Sequence, residues 1–305
     1  MKIYIAGRYG MVGRAIEIEA HSRGFIVLGK SSKDLDLTNR QLVFDEIRDT
    51  SPDVMVIAAA RVGGILANST YPVSFLSENL QMQTNLMDAA HNFKIPKLIF
   101  LGSSCIYPKF SEQPIKESSL LTGLLEPTNE AYAIAKIAGV KLVDAYRKQH
   151  GHDWLSLMPT NLYGKFDKFD LENSHVLPGL LRRFNSAVTS ESKEISVWGD
   201  GSPLREFLNV SDLATAIMFL ITKGSTQALI NVGSGNEISI KDLATFIATI
   251  TNFNGKIEFD TTKPNGTPRK LLDSRYINSL GWEPKVSLET GIRETYKWFL
   301  ENSVS

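Results

Sequence analysis

The segment Lys2-Ile3-Tyr4-Ile5-Ala6 runs directly into Gly7-Arg8-Tyr9-Gly10-Met11-Val12-Gly13, three glycines at intervals of three, and then into an amphipathic stretch. Few folds accept that order. Five apolar residues read as a buried strand, and the glycines that follow each answer a steric demand. Gly7 permits a tight turn, Gly10 lets a pyrophosphate approach the backbone, and Gly13 lets the new helix pack closely while its N-terminus faces the anion. At a first strand-to-helix junction the pattern predicts a dinucleotide-binding α/β fold.

The rest of the first half repeats the theme. Strands are predicted at 2–6, 26–28, 54–58, 97–101 and 154–158, with helices at 11–21, 40–48, within 71–91 and at 130–149. This alternation gives a doubly wound parallel sheet of the Rossmann type. The second half reads as a smaller mixed lobe, with strands at 194–198 and 228–232 and helices at 177–184, 211–221, 240–251 and 288–301. Segments 166–173 and 261–270 read as loops. At 305 residues and roughly 150 residues per domain, two units are expected. Residues 1–164 would bind the dinucleotide and 165–305 mainly the substrate, with some segments returning to the first unit.

Composition narrows the function. Lys+Arg and Asp+Glu both number 33, so no general basic footprint for nucleic acid exists, and no cationic block marks a membrane surface. A single cysteine excludes a disulfide framework and a zinc site built from several thiolates, and no metal site is expected. The chain opens on a strand rather than a signal region, and it has no run of 18 apolar residues. A soluble cytoplasmic protein is the expectation.

Two patterns carry chemistry. An NAD-binding fold places Asp or Glu about 20 residues beyond the glycines to accept from the ribose 2′-hydroxyl. Here that strand end reads Leu28-Gly29-Lys30-Ser31-Ser32-Lys33. With Arg8 in the glycine turn, the positive charge favours a 2′-phosphate and hence NADP(H). The second pattern is Ser103-Ser104-Cys105 after the fourth strand, followed by Tyr132-Ala133-Ile134-Ala135-Lys136. A spacing of four puts Tyr132 and Lys136 on one helical face, and the end of a parallel strand aims Ser103 into the ligand crevice. A phenol near pKa 10 transfers protons poorly at neutral pH, and an adjacent ammonium favours its phenolate. Ser103 would hydrogen-bond the reacting oxygen.

These residues resemble the extended short-chain dehydrogenase/reductases and, within them, the GDP-L-fucose synthase family. The similar stretches span nearly the whole chain. They include Gly10-Met11-Val12-Gly13, Leu101-Gly102-Ser103-Ser104-Cys105-Ile106-Tyr107-Pro108, Glu126-Pro127-Thr128-Asn129-Glu130 and Met158-Pro159-Thr160-Asn161-Leu162-Tyr163-Gly164. Later come Asn173-Ser174-His175-Val176, Arg205-Glu206-Phe207-Leu208 and the run from Gly266 to Asp273. Ser-Ser-Cys-Ile-Tyr-Pro discriminates best, because related dehydratases carry an Asp-Glu pair there and simple 4-epimerases no cysteine.

The resemblance implies epimerisation at C3 and C5 of GDP-4-keto-6-deoxy-D-mannose and NADPH-dependent reduction at C4, giving GDP-L-fucose. Alternatives are a GDP-L-colitose synthase, which inverts C5 alone, and a catalytically silent NADP-binding regulator. Cys105 and His175 would be the acid/base groups on opposite faces of the sugar. Both carbons lie α to the C4 ketone, so each can lose a proton to give an enolate and regain one from the other side. The start of the 177–184 helix would lower the pKa of His175. Cofactor contacts are implied at Leu101, Gly102, Ser103, Ser104, Lys136, Pro159, Thr160, Asn161, Leu162 and His175, and substrate contacts at Arg183, Trp198, Arg205, Asn265 and Lys270. Two departures stand out: Asn265 replaces an Asp, and Arg8-Tyr9 replaces a His-Arg pair, which repositions the 2′-phosphate ligand. The family also pairs the helices within 71–91 and 130–149 into a homodimer, and Ile137, Val140 and Leu142 point to apolar surface there.

Overall fold

Short apolar strands separated by helices can pair only in parallel, since each crossover returns the chain to the same end of the sheet. In a computed structural model, which describes residues 1–170, 174–263 and 265–302, the first half follows that rule. β1 (Lys2–Ala6), β2 (Ile26–Leu28), β3 (Val54–Ile57), β4 (Lys97–Leu101) and β5 (Asp153–Pro159) alternate with α1 (Met11–Ser22), α2 (Arg40–Thr50), α3 (Ile65–Thr70), α4 (Pro72–Asn92) and α5 (Glu130–His150). Beyond them come β6 (Asn161–Tyr163), α6 (Val176–Thr189), β7 (Glu194–Trp198), β8 (Leu204–Asn209), α7 (Val210–Lys223) and β9 (Leu229–Val232). The chain continues through β10 (Glu237–Ser239), α8 (Ile240–Thr251), β11 (Lys256–Asp260), β12 (Arg269–Lys270), α9 (Arg275–Ser279) and α10 (Leu288–Asn302).

The central sheet has the order β2-β1-β3-β4-β5-β9, parallel throughout. Strand order reverses at β1, and the crevice beyond the carboxyl ends of β1 and β3 is the ligand position of such sheets. Both faces are buried. Ile3 and Ile5 pack with Ile16, Leu213 and Ile217 on one side, while Tyr4 and Ala6 pack with Val43, Leu86 and Phe100 on the other. A third apolar cluster, including Leu180, Phe184, Val197 and Ile247, joins α6, α8 and β7. No helix among the described residues is long and apolar enough to cross a membrane.

The segment 228–232, expected with the mixed lobe, instead supplies the sixth strand of the central sheet, pairing Ile230 with Leu157. A four-residue strand reads alike in either setting, so local pattern could not place it. Sequence periodicity also missed β8. Leu204-Arg205-Glu206-Phe207 puts two charges into a strand, yet β8 is the hub of the second half, pairing with β6, β10 and β12. Of the expected loop 166–173, residues 171–173 lie outside the described residues. Of 261–270, Pro264 does, and its last two residues form β12. Ile137 and Val140 are buried in the core beside Leu86 and Phe100, and Leu142 packs against that cluster, so the apolar excess on α5 faces inward.

Glu206 is wholly buried, and burial pushes its carboxyl pKa up. Its two oxygens accept from the N–H of Gly235 at 2.8 Å and of Leu272 at 3.0 Å, and its carbonyl accepts from Asn161 Nδ2 at 2.8 Å. One residue thus ties β8 to the end of the central sheet and to the strand-end segment after Lys270. Glu206→Ala should orphan the buried Leu272 N–H at about 1–3 kcal/mol and lose the part-buried bond to Gly235. The expected result is a melting temperature lower by about 4 °C or more in calorimetry, with Glu206→Gln, which keeps one acceptor, losing less.

Candidate active site

The glycine turn has the shape its sequence implies. Gly7 sits at φ +86°, and a Cβ there would lie 2.7 Å from the Ala59 backbone nitrogen. At Gly13 a Cβ would lie 2.1 Å from the Gly7 carbonyl oxygen, so both positions exclude any side chain. Gly10 caps α1 without a side-chain acceptor, and a Cβ there would meet only the Gly7 oxygen, at 3.4 Å. Its outer side is open where a pyrophosphate would meet the free N–H groups of α1, while Met11 and Val12 pack against the core. The residues therefore fit a dinucleotide.

The basic residues expected near the adenosine ribose are not free. Arg8 Nε donates to Glu17 Oε1 at 3.1 Å, and Lys30 pairs with the buried Glu46 at 2.6 Å. Glu17 on α1 and Glu46 on α2 reach these cations only through the turn of the chain, which the linear sequence conceals. Tyr9 is half exposed beside Arg8, whose guanidinium lies 5.5 Å from its ring centre. Lys33 is exposed. No carboxylate stands in Leu28–Lys33, as the sequence shows.

β4 ends on Leu101 and Gly102, where a Cβ on Gly102 would strike the Met158 side chain at 2.1 Å. The backbone then turns through a short 3-10 helix of Ser104, Cys105 and Ile106, capped by Ser103, whose Oγ accepts from the Cys105 N–H at 3.4 Å. That turn is pinned from behind by the Tyr107 hydroxyl, which donates to Asn231 Oδ1 of β9 at 2.6 Å. Cys105 and Ser104 are buried.

Tyr132 and Lys136 share one face of α5, with Lys136 Nζ 5.8 Å from the Tyr132 ring centre. The ammonium does not meet the phenol oxygen. It donates to the Leu101 carbonyl at 2.8 Å and lies over Phe100 at 4.7 Å. Burial dominates both groups. It lowers Lys136 to about 8 and drives the Tyr132 phenol well above its ordinary range, with the nearby Cys105 adding to the rise. Any help from Lys136 toward the phenolate is outweighed by burial, which raises the Tyr132 phenol.

His175 caps α6 and opens onto the cleft, but protein surrounds it. That desolvation, followed by the charge of Lys270, pulls its pKa below the ordinary value. The cause is thus burial and a cation, where the sequence reading had invoked the helix dipole. Lys270 lies opposite Arg205 across β12 and β8. Its pKa is lowered by burial and by Arg205, and raised by Cys105 and Glu126, which places all these groups within electrostatic reach of each other.

Arg183 donates to the Ser196 and Gly179 carbonyls at 3.3 and 3.4 Å, Arg205 donates to the Leu204 carbonyl at 2.8 Å, and burial lowers both pKa values. Trp198 ends β7 with 57% of its surface exposed, and the Lys263 ammonium lies over its ring at 5.7 Å. Asn265 Oδ1 accepts from the Asp200 N–H at 2.9 Å, so this side chain braces the turn after Trp198. Thr160 and Asn161 both donate to the Glu206 carbonyl, at 3.2 and 2.8 Å, and so hold β8, while the Thr160 N–H donates to the Val232 carbonyl at 3.1 Å. Leu162 is partly buried against the central core.

Sequence reasoning gave no role to the neighbours of Cys105. A cavity of about 20 Å³ opens beside it, lined also by Lys109, Glu126, Asn129 and Lys270. Lys109 Nζ lies 2.9 Å from Glu126 Oε2, and the buried Asn129 Oδ1 has no hydrogen-bond partner among the described residues. Glu126 and Asn129 stood in the stretches that carried the resemblance, but nothing in their spacing pointed to Cys105. No group of three or more His, Cys, Asp or Glu among the described residues is arranged to hold a metal ion.

Comparison with known proteins places the scaffold. The NAD dependent epimerase/dehydratase family matches residues 3–233, from β1 to just past β9. GDP-L-fucose synthase 1 of Arabidopsis thaliana is 54% identical over 303 residues, covering 99% of this chain and 94% of the relative. GDP-L-colitose synthase of Yersinia pseudotuberculosis is 40% identical over 302 residues, covering 98% of each. The solved structure of a GDP-L-fucose synthetase from Naegleria fowleri bound to NADP aligns with a TM-score of 0.91 at 31% identity, covering 99% of this chain and 93% of that one. The glycine turn, the strand-end serine and the Tyr132/Lys136 face are thus held on a scaffold shared along almost the whole length, and the chain belongs to the NAD dependent epimerase/dehydratase family.

Proposed function

We propose that this chain inverts C3 and C5 of GDP-4-keto-6-deoxy-D-mannose and reduces C4 to give GDP-L-fucose, using NADPH. The observation that carries the reading is the clustering around Cys105: Ser103 caps the turn that holds it, Tyr132 and Lys270 lie within its electrostatic reach, and Lys270 acts in turn on His175. Bound NADPH supplies the hydride for C4. The Gly7–Gly13 turn and Lys136 would hold it, with the backbones of 101–104 and 159–162 alongside. Tyr132, kept neutral by burial, donates its proton to the C4 oxygen, and Ser103 hydrogen-bonds that oxygen. Cys105 and His175 work at the carbons flanking the ketone. Arg183, Arg205 and Lys270 suit the diphosphate, Trp198 offers its face, and Asn265 offers its amide.

The identity of 54% to a GDP-L-fucose synthase against 40% to a GDP-L-colitose synthase favours the doubly inverting reaction. The presence of Ser103, Cys105, Tyr132, Lys136 and His175 together leaves no reason to read a silent regulator. A cytoplasmic setting, where one thiol stays reduced, suits the chemistry.

For the cofactor, the missing strand-end acid and the NADP-bound relative support NADPH. The expected kcat/KM for NADPH exceeds that for NADH by about tenfold or more, the scale of one charge-assisted contact. Equal values would rule the preference out. A homodimer through the outer faces of α4 and α5 is also proposed, on the exposed Val73 and Ile134 at 76% and 44%. Light scattering at micromolar concentration should give twice the chain mass.

Two substitutions separate the chemistries. Tyr132→Phe should cost about 100-fold or more in NADPH oxidation while cofactor binding by fluorescence persists. Cys105→Ser replaces a thiol with a far weaker acid. It should lose most deuterium uptake at C3 and C5 in D2O with NADP⁺, yet still slowly reduce the unepimerised ketone. Wild-type deuterium uptake in Cys105→Ser would assign proton abstraction to another base.

A further inference from the structure

Resting on the function proposed above, we propose that the Lys109–Glu126 pair and the cavity between it and Cys105 form the proton exit that resets the thiol between the two inversions. The need follows from stereochemistry. In a 4-keto-6-deoxy-D-mannose ring the hydrogens on C3 and C5 lie on the same face, so one base removes both and one acid delivers both from the opposite face. With Cys105 as the base, the first inversion moves the C3 or C5 proton to the thiolate, making a thiol, while the His175 imidazolium gives its proton to the other face and becomes neutral. The carbon–hydrogen bond broken and the one formed balance, but the enzyme is left spent at both ends. A second inversion requires the thiol to give up its proton and the imidazole to gain one, both through exchange with water.

His175 reaches water directly, because it opens onto the cleft. Cys105 does not, with 8% of its surface exposed and a substrate ring due to cover that remainder. What adjoins it is the polar cavity of about 20 Å³. Such a space accommodates one water, provided two or more polar groups hold it. Candidate partners are at hand in its lining: Asn129, with a buried Oδ1 that lacks a partner, and Glu126. Glu126 accepts a proton as a carboxylate, and Lys109, 2.9 Å away and on the same cavity wall, keeps it ionised and ready to do so. Lys270 and Arg269 complete the charged lining. The proton thus passes from the Cys105 sulfur to the cavity water, on to the Glu126 carboxylate, and out to solvent past Lys109, whose side chain is about one-third exposed at 29%. Glu126 acts through Cys105 and touches no reacting carbon; it is a positioning and relay residue.

The test follows deuterium at C3 and C5 by NMR when enzyme in excess meets GDP-4-keto-6-deoxy-D-mannose and NADP⁺ in D2O. Glu126→Gln should lower the ratio of second to first inversion rates by about tenfold or more, so that a singly inverted ketone accumulates. Glu126→Asp should restore part of that ratio. Asn129→Leu, which fills the cavity, should reproduce the defect and stands in if Glu126→Gln melts at the assay temperature. A wild-type ratio in both Glu126→Gln and Asn129→Leu would overturn the relay, and so would an equal slowing of both inversions, which marks a merely structural role. Absence of deuterium at either carbon with the wild-type enzyme would instead overturn the proposed function.

Discussion

The buried carboxylate of Glu206 holds together what the reaction needs together. It neighbours Arg205 in β8 and accepts the Leu272 N–H just beyond Lys270, while its backbone carbonyl takes the side chains of Thr160 and Asn161 at the end of the central sheet. A carboxyl group taken wholly out of water is costly unless donors surround it. Here the donors come from separate segments of the chain, so satisfying the acid and positioning the substrate-side cations are the same event. β8 also lies between β10 and β12, which sets Lys270 opposite Arg205 by strand register rather than by any flexible reach.

Much of this arrangement was legible. The glycine spacing and the alternation of apolar runs fixed the parallel sheet because each is a local steric or solvation demand, and strands β1, β2 and β4 fall where the periodicity puts them. Tyr132 and Lys136 share a face because helical geometry requires it. What escaped was set by long-range pairing. Arg8 and Lys30 looked free in sequence, whereas Glu17 and Glu46 neutralise them from neighbouring helices. β8 escaped because Glu206 is satisfied by distant donors, and the place of β9 in the central sheet escaped because four residues carry no address. The cavity next to Cys105 could not be read at all, since Lys109, Glu126 and Lys270 meet only after three separate loops have folded.

Burial shifts the pKa values of the cleft in a consistent sense. Lys136, His175, Arg183, Arg205 and Lys270 are all pulled below their ordinary values, with desolvation as the largest cause in each. Among the described residues, Lys136, Arg183 and Arg205 spend their donors on neutral backbone carbonyls, and none of the four Lys and Arg side chains has a carboxylate within ion-pair distance. Buried cations left without anions cost stability, and the fold accepts that cost only where an anion is to be supplied from outside.

The diphosphate of the proposed substrate is an anion that suits such a set. Its arrival would pair Arg183 and Arg205 bidentately and relieve the mutual repulsion of Arg205 and Lys270. The consequence reaches the reacting groups. Lys270 depresses the pKa of His175, and Cys105 and Glu126 in turn support the charge of Lys270. In the proposed reaction a diphosphate bound there would screen Lys270, the charge that adds to the lowering of the His175 pKa by burial. On that proposal, the phosphate end of the substrate would bear on the proton chemistry at its sugar end. Binding energy gained far from the reacting carbons is thereby spent on the protonation state of the group that serves them.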